Sequence, residues 1–396
     1  MNGKNSPVRI KDLVLMFLKI GTIGFGGGPG MLALIRKYLV SEKKWISDDD
    51  LATAVALGQM IPGPFVPNYV EYIGFRLRGI KGMISSVIAF LTPGFFAVLL
   101  LSYIYFHFQK VLVINDIFVW IQPVIIGILA WACFDMGRLY LKDTRSIIIA
   151  VFALLASLFK IMPIIIVLAC GFAGIVFSRK PKIAIFSLLP IYILLGISPF
   201  VIKTGNLGLL ALIFLEVGLL IFGGGYAAIP FIAQEVVIRR AWLTNQELLT
   251  GVALSQVTPG PVALLSTFVG YKVSGLLGAF IASIAIFLPS TIILLLILGV
   301  YHYFIKQNRS SRLSDYAKGF IQGVKPAIVG FLVSATIILA SNHNVVVTHS
   351  IFITITKAVL IIISFLLLTF IKISPAVLIL GGALVGFVLT RIGIKV

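Results

Sequence analysis

The sequence predicts an all-α polytopic membrane protein whose two homologous halves form an inverted repeat. Three observations predict it: apolar runs too long for a soluble core, a self-match at a fixed offset, and glycine and PGP breaks that recur within that match. The 396-residue chain is 60% hydrophobic and 11% charged. Runs such as residues 85–106 and 275–304 exceed the roughly 20 apolar residues that span a bilayer. The formal charge of +19 is spread over short loops between these runs, a loop bias rather than a nucleic-acid-binding patch. Cys133 and Cys170 lie inside apolar runs without metal-ligand spacing and read as packing residues.

The first element follows Lys4, Arg9 and Lys11. No small-residue cleavage site comes after it, so it is expected to be retained. FGGGPG at positions 25–30 interrupts it, and the apolar stretch 31–40 beyond reaches only about 15 Å, half of the hydrocarbon core. Trp45 suits the headgroup interface, and Ser47 before acidic residues reads as an N-cap. A second element is broken at Pro62-Gly63-Pro64. Ordinary apolar runs follow at 83–106, 117–137, 146–160 and 162–178.

The same order then recurs. At an offset of 197, Phe25–Gly28 falls on Phe222–Gly225, Trp45 on Trp242, Gln59 on Gln256, and Pro62-Gly63-Pro64 on Pro259-Gly260-Pro261. At 196, YIGFRLRG falls on FVGYKVSG and Pro93 on Pro289. Later, QPVIIG matches KPAIVG and FKIMP matches IKISP. The predicted organisation is a first repeat over 1–180, a linking helix within 181–204 (apolar run 183–199), and a second repeat over 205–396.

Each repeat makes an even number of crossings whether its broken elements cross or re-enter, so one added helix inverts the second copy. Re-entrant broken elements place Arg36, Lys37, Lys43 and Lys44 inside and Arg239 and Arg240 outside, which strengthens the positive-inside bias. That favours re-entrant elements and a cytoplasmic N-terminus.

Irregular backbone at membrane depth requires protein or a water-filled cavity to satisfy it, so the recurring breaks imply a shared polar cavity. A helix that starts after a break points free N–H groups and its positive dipole end at that cavity, where an anion can be held. The candidate anion ligands are Gly26, Gly27, Gly28, Gly63, Gly223, Gly224, Gly225 and Gly260, with Gln59 and Gln256 as amide donors. Pro29, Pro62, Pro64, Pro259 and Pro261 form the breaks. Close helix packing is the competing reading of the glycines, and an ordinary kink that of Pro93 and Pro289.

Lys19 and Glu216 occupy equivalent positions with opposite charge. Either they pair across the pseudo-twofold axis, or Lys19 attracts the anion while Glu216 carries a coupling proton. Glu71 is an alternative proton carrier, and Asp135 and Glu235 lie nearer the interfaces. Snorkelling or a satisfied structural pair is the competing reading for each. FGGGPG lacks the GK[ST] of a phosphate loop and the four histidines lack metal-ligand spacing, so no enzyme, metal or cofactor is expected.

FLKIGTIGFGGGPG, the W-[IL]-[ST] turns, ALGQMIPGP, and their counterparts FLEVGLLIFGGGYAAIP and ALSQVTPGP resemble the two halves of a chromate ion transporter family protein of the long-chain, two-domain type. The resemblance covers almost the full length. It implies an inner-membrane carrier that exports chromate, with sulfate as the chemically similar anion and proton or exchange coupling. Two features depart from the family pattern: a third glycine before Pro29, and Glu216 where a basic residue is common. Three alternatives stay open beside an alternating-access carrier: an anion channel, a sulfate uptake permease using the same breaks, and a scaffold without transport activity. The partners expected are a small oxyanion and the lipid bilayer, not nucleic acid; glycine-rich faces also allow a homodimer.

Overall fold

The computed structural model describes residues 8–25, 27–108, 112–177, 205–222, 224–304, 311–341 and 350–392. All regular structure among them is helical. The linking run 183–199, together with Gly26 and Gly223, lies outside the described residues.

The first repeat comprises α1 (Ile10–Ile23), α2 (Gly27–Ile35), α3 (Asp48–Met60), α4 (Phe65–Phe108), α5 (Leu112–Tyr140), α6 (Thr144–Leu158) and α7 (Pro163–Phe177). The second comprises α8 (Asn206–Leu220), α9 (Ala228–Ala233), α10 (Asn245–Val257), α11 (Leu265–Phe304), α12 (Ser311–Ala340), α13 (Ile351–Leu366) and α14 (Pro375–Arg391). Among the described residues, five stretches are long and apolar enough to cross a membrane: Phe65–Phe108, Phe118–Tyr140, Val262–Leu298, Gly319–Ala340 and Ile351–Ile371. Their outward faces are apolar at helical spacing, as with Ile84, Ile88, Phe96 and Leu100 on α4 and Ile284, Leu288, Ile292 and Leu296 on α11. Such exposed stripes suit lipid.

Matched positions of the repeats share backbone detail. α2 and α9 both run on into a wide π-helical turn, Arg36–Glu42 and Gln234–Arg239. Each turn ends in a left-handed residue, Lys44 (φ 54°) or Ala241 (φ 50°). The Trp45 N–H then returns to the Leu39 carbonyl, and that of Trp242 to Val236, both at 2.8 Å.

The expected caps form. Ser47 and Asp50 make a reciprocal capping box at the start of α3, as do Thr244 and Glu247 at the start of α10. Desolvation pushes the Asp50 carboxyl up, but the Ser47 N–H and hydroxyl and the Arg76 guanidinium outweigh it and leave the group below its ordinary value. Ser47→Ala and Thr244→Ala are each expected to cost about 1 kcal/mol, read as a lower thermal unfolding midpoint.

α4 and α11 are each two arms folded back on one another. The chain reverses at Arg78–Gly79 and again at Ser274–Gly275, where both glycines have φ 60°. A straight helix would separate Gly74 from Gly82 by about 12 Å, yet a Cβ on either would clash with the other's carbonyl oxygen. Gly270 and Gly278 repeat that contact. The second arms are the apolar runs expected from the sequence, and both continue through their prolines, Pro93 and Pro289.

The repeats are interleaved rather than side by side. α12 of the second packs on α6 and α7 of the first, while α5 of the first packs on α13 and α14 of the second. At the centre α4 crosses α11, with α1 laid on α4 and α8 on α11. α1 and α8 approach through glycine: a Cβ on Gly21 would strike the Phe90 carbonyl, and one on Gly218 that of Ile286.

Candidate functional site

The glycine and PGP breaks meet through two backbone hydrogen bonds that cross between the repeats. The Gly63 N–H donates to the Ile221 carbonyl at 2.7 Å, and the Gly260 N–H donates to the Gly24 carbonyl at 3.2 Å. These are equivalent bonds: Gly63 corresponds to Gly260, and Gly24 to Ile221. Each PGP turn of one half therefore holds the chain just ahead of the glycine break in the other. Both turns need glycine, since Gly63 has φ 113° and Gly260 has φ 110°.

The packing around these turns is also exchanged. A Cβ on Gly94 would strike the Pro259 carbonyl oxygen of the second PGP, and a Cβ on Gly63 would lie 2.6 Å from Ser290 Cβ. Gly94 and Ser290 are equivalent positions on the second arms of α4 and α11. Pro62, Gly63, Pro64 and Pro261 are buried, while Pro259 and Gly260 are partly open.

The two glycine breaks differ. Gly27 and Gly28 open α2 with Pro29 in its first turn, and a Cβ on Gly28 would meet nothing. Packing therefore does not account for Gly28. In the second copy Gly224 (φ 124°) precedes a 3-10 turn, Gly225–Ala227, and Gly225 packs on Val262. The buried Ala227 and Ala228 close that side, and Tyr226 sets its ring edge on Trp131. The first break is thus open at Gly28, where the second is filled at the equivalent Gly225.

The glutamines differ in the same sense. Gln59 is exposed, with its amide beside the Tyr69 hydroxyl. Gln256 faces the Tyr226 hydroxyl, and its Nε2 is buried without a hydrogen-bond partner. A buried, unpartnered donor beside a break is what an anion acceptor would satisfy.

Lys19 and Glu216 form no ion pair. The exposed Lys19 places its ammonium 4.2 Å from the centroid of the Tyr38 ring. Glu216 is 3% exposed and lies within electrostatic reach of Glu235, Arg239 and Arg240. Glu235 occupies the position equivalent to Tyr38, so Lys19/Tyr38 and Glu216/Glu235 are two versions of one site. Sequence reasoning placed Glu235 near an interface; it is buried and paired with Arg239 at 3.2 Å and Arg240 at 2.6 Å. Asp135 is exposed and pairs with Arg138. Glu71 is fully buried, and its Oε1 accepts from the Thr291 hydroxyl at 2.5 Å, a bond between the halves. Among the described residues no group of three or more His, Cys, Asp or Glu side chains is placed to hold a metal ion.

The family described as chromate transporter matches residues 11–175 and 208–387, one segment on each set of breaks. The chain belongs to the chromate transporter family. An uncharacterized transporter of Methanocaldococcus jannaschii is 30% identical over 85% of this chain and 86% of its own length. The chromate transport protein of Cupriavidus metallidurans is 29% identical over 96% of this chain and 93% of its own length. A shorter relative, the uncharacterized transporter YwrB of Bacillus subtilis, is 28% identical over 93% of its own length but only 46% of this chain. No solved structure matches.

Membership in a transporter family, together with the apolar spans, makes this a multi-pass membrane protein with no enzymatic role implied. No sequence signal brought Ser290 to the first PGP turn or Thr291 to Glu71: both sit in an apolar run of the other repeat.

Proposed function

We propose that the chain is a secondary carrier of tetrahedral oxyanions, exporting chromate across the cell membrane by alternating access, with sulfate as a competing ligand. The observation that carries this reading is the crossed pair of bonds, Gly63 to Ile221 and Gly260 to Gly24. Each ties a PGP turn of one half to the glycine break of the other, and each N–H–carbonyl contact joins the two halves that must move relative to each other. The repeats are inverted, the broken elements re-enter, and the N-terminus is cytoplasmic.

The anion sits near the bilayer midplane against the N-terminal ends of α2 and α9, held by the N–H groups of Gly26, Gly27, Gly28, Gly223, Gly224 and Gly225. Gly63 and Gly260 shape the opposite wall, and Gln256 donates from Nε2. Gln59 plays the exposed counterpart. Pro29, Pro62, Pro64, Pro259 and Pro261 keep helical N–H groups from closing the gap. Lys19 attracts the dianion, and Glu216, set against Glu235 and two arginines, exchanges a coupling proton. The matching family and its chromate-transporting relatives support the substrate class.

Chromate uptake into inverted vesicles tests the reading. Wild type is expected to saturate and to stop when the proton gradient is dissipated. Lys19→Ala is expected to raise KM with little change in maximal rate, and Glu216→Gln to remove the dependence on pH. Ohmic anion current across bilayers would replace the carrier with a channel, and unchanged kinetics in both variants would overturn these assignments.

A further inference from the structure

Two buried oxygens without a hydrogen-bond partner, Asn68 Oδ1 and Glu71 Oε2, lie behind the first PGP turn. Asn68 and Glu71 sit three residues apart on the first arm of α4, on one helix face. They are 1% and 0% exposed. Opposite them the second arm of α11 presents Ser290, which is fully buried, and Thr291. A Cβ on Gly63 would lie 2.9 Å from Ser290 Oγ and 3.5 Å from Asn68 Oδ1, so both oxygens face the same turn. Thr291 joins the group through its bond to Glu71 Oε1.

The Asn68 amide and the Ser290 and Thr291 hydroxyls each donate to a partner other than the open oxygens. Asn68 Nδ2 donates to the Gly58 carbonyl at 3.2 Å, which fixes the amide with Oδ1 inward. The Ser290 hydroxyl donates to the Phe287 carbonyl at 2.8 Å, and the Thr291 hydroxyl to Glu71. What remains is a shell of acceptors: Asn68 Oδ1 and Glu71 Oε2, both buried without a partner, and the free lone pairs of Ser290 Oγ. No ion pair reaches Glu71 among the described residues; Arg76, five residues further along the chain, is paired with Asp50 at 3.4 Å.

We propose that this shell, Asn68 Oδ1, Glu71 Oε2 and Ser290 Oγ, is a binding site for one sodium ion. Carboxylate, amide and hydroxyl oxygens are the ligands of hard cations. One carboxylate balances one positive charge, whereas a divalent ion would leave an excess charge buried. A proton on Glu71 would pair only one of the open acceptors. The symmetric copy lacks these oxygens: the positions equivalent to Glu71, Ser290 and Thr291 carry Thr267, Gly94 and Phe95. Thr267 is already bonded to Ser283 at 2.7 Å.

Gly63 forms the floor of this shell and also donates to Ile221 at the junction. Ion occupancy would therefore bear on the contact that joins the halves. That coupling rests on the carrier reading, while binding itself does not.

Thermal unfolding of the purified full chain in detergent, with sodium, potassium or choline chloride at equal ionic strength, tests the site. Sodium is expected to raise the midpoint by about 2–5 °C over choline at saturation. Glu71→Gln is expected to abolish the sodium response, and Ser290→Ala, a milder change should Glu71→Gln fold poorly, to weaken its half-saturation at least tenfold. Equal midpoints in sodium and choline, stabilisation by acid alone, or a sodium response unchanged in Ser290→Ala would each overturn the proposal. In proteoliposomes carrying a proton gradient, sodium is then expected to speed chromate flux relative to choline. Sodium binding without any chromate flux would leave the site standing and remove the carrier reading.

Discussion

Gly63→Ala is expected to destabilise the protein and cut chromate transport at least tenfold, while Gly260→Ala does markedly less. Both glycines lie at the centre of the same PGP triplet with φ of 113° and 110°, so both variants carry similar backbone strain, about 1–3 kcal/mol. The difference lies in what the new methyl meets. At Gly63 it falls 2.6 Å from Ser290 Cβ, on a buried helix that cannot withdraw alone. At Gly260 the nearest atom is Leu264 Cδ1 at 3.0 Å, the tip of a side chain that can rotate. Thermal unfolding and vesicle uptake on the two variants read the contrast. Ser290→Gly in the Gly63→Ala background is expected to return stability to the Gly260→Ala level, because it removes the overlap and leaves only the strain. Equal losses in the two single variants would show that the PGP turns are not distinguished by their packing.

Gln256→Leu is expected to separate binding from stability. Its Nε2 is buried with no partner, a cost of about 1–3 kcal/mol in the empty protein that an entering anion relieves. The leucine removes both the cost and the relief. The unfolding midpoint is expected to hold or rise, while chromate affinity falls about tenfold or more. Gln59→Leu is expected to have a smaller effect on affinity, since the exposed Gln59 amide is not left unsatisfied. A Gln256→Leu variant that unfolds early yet binds normally would assign the glutamine to packing.

Local periodicity and chain punctuation carried much of the fold into view. The apolar runs among the described residues became helices, and Ser47 and Thr244 became N-caps, because capping is decided within four residues. The breaks were legible because glycine and proline act on their own backbone. What stayed hidden depends on partners far along the chain. The Gly63–Ile221 and Gly260–Gly24 bonds, the exchange of α6–α7 and α13–α14, and the Asn68–Glu71–Ser290 shell all join segments well over a hundred residues apart.

The pairing of Lys19 with Glu216 illustrates the limit. Equivalent residues of a two-fold repeat meet only if they lie on the axis. These two occupy separate copies of one site, beside Tyr38 in the first and Glu235 in the second. The family resemblance pointed to the transporter class, but it carried no information on which break is open. The empty space at Gly28 and the Val262 contact at Gly225 supply that difference.

The central claim is that breaks from both halves build one anion site. Equilibrium dialysis of radiolabelled chromate against the purified protein measures it directly, run on wild type, Gly63→Ala and Gln256→Leu. A single shared site predicts one chromate per chain, weakened by either change although the two lie in different halves. Two chromates per chain, or one half binding normally while the other is altered, would contradict it.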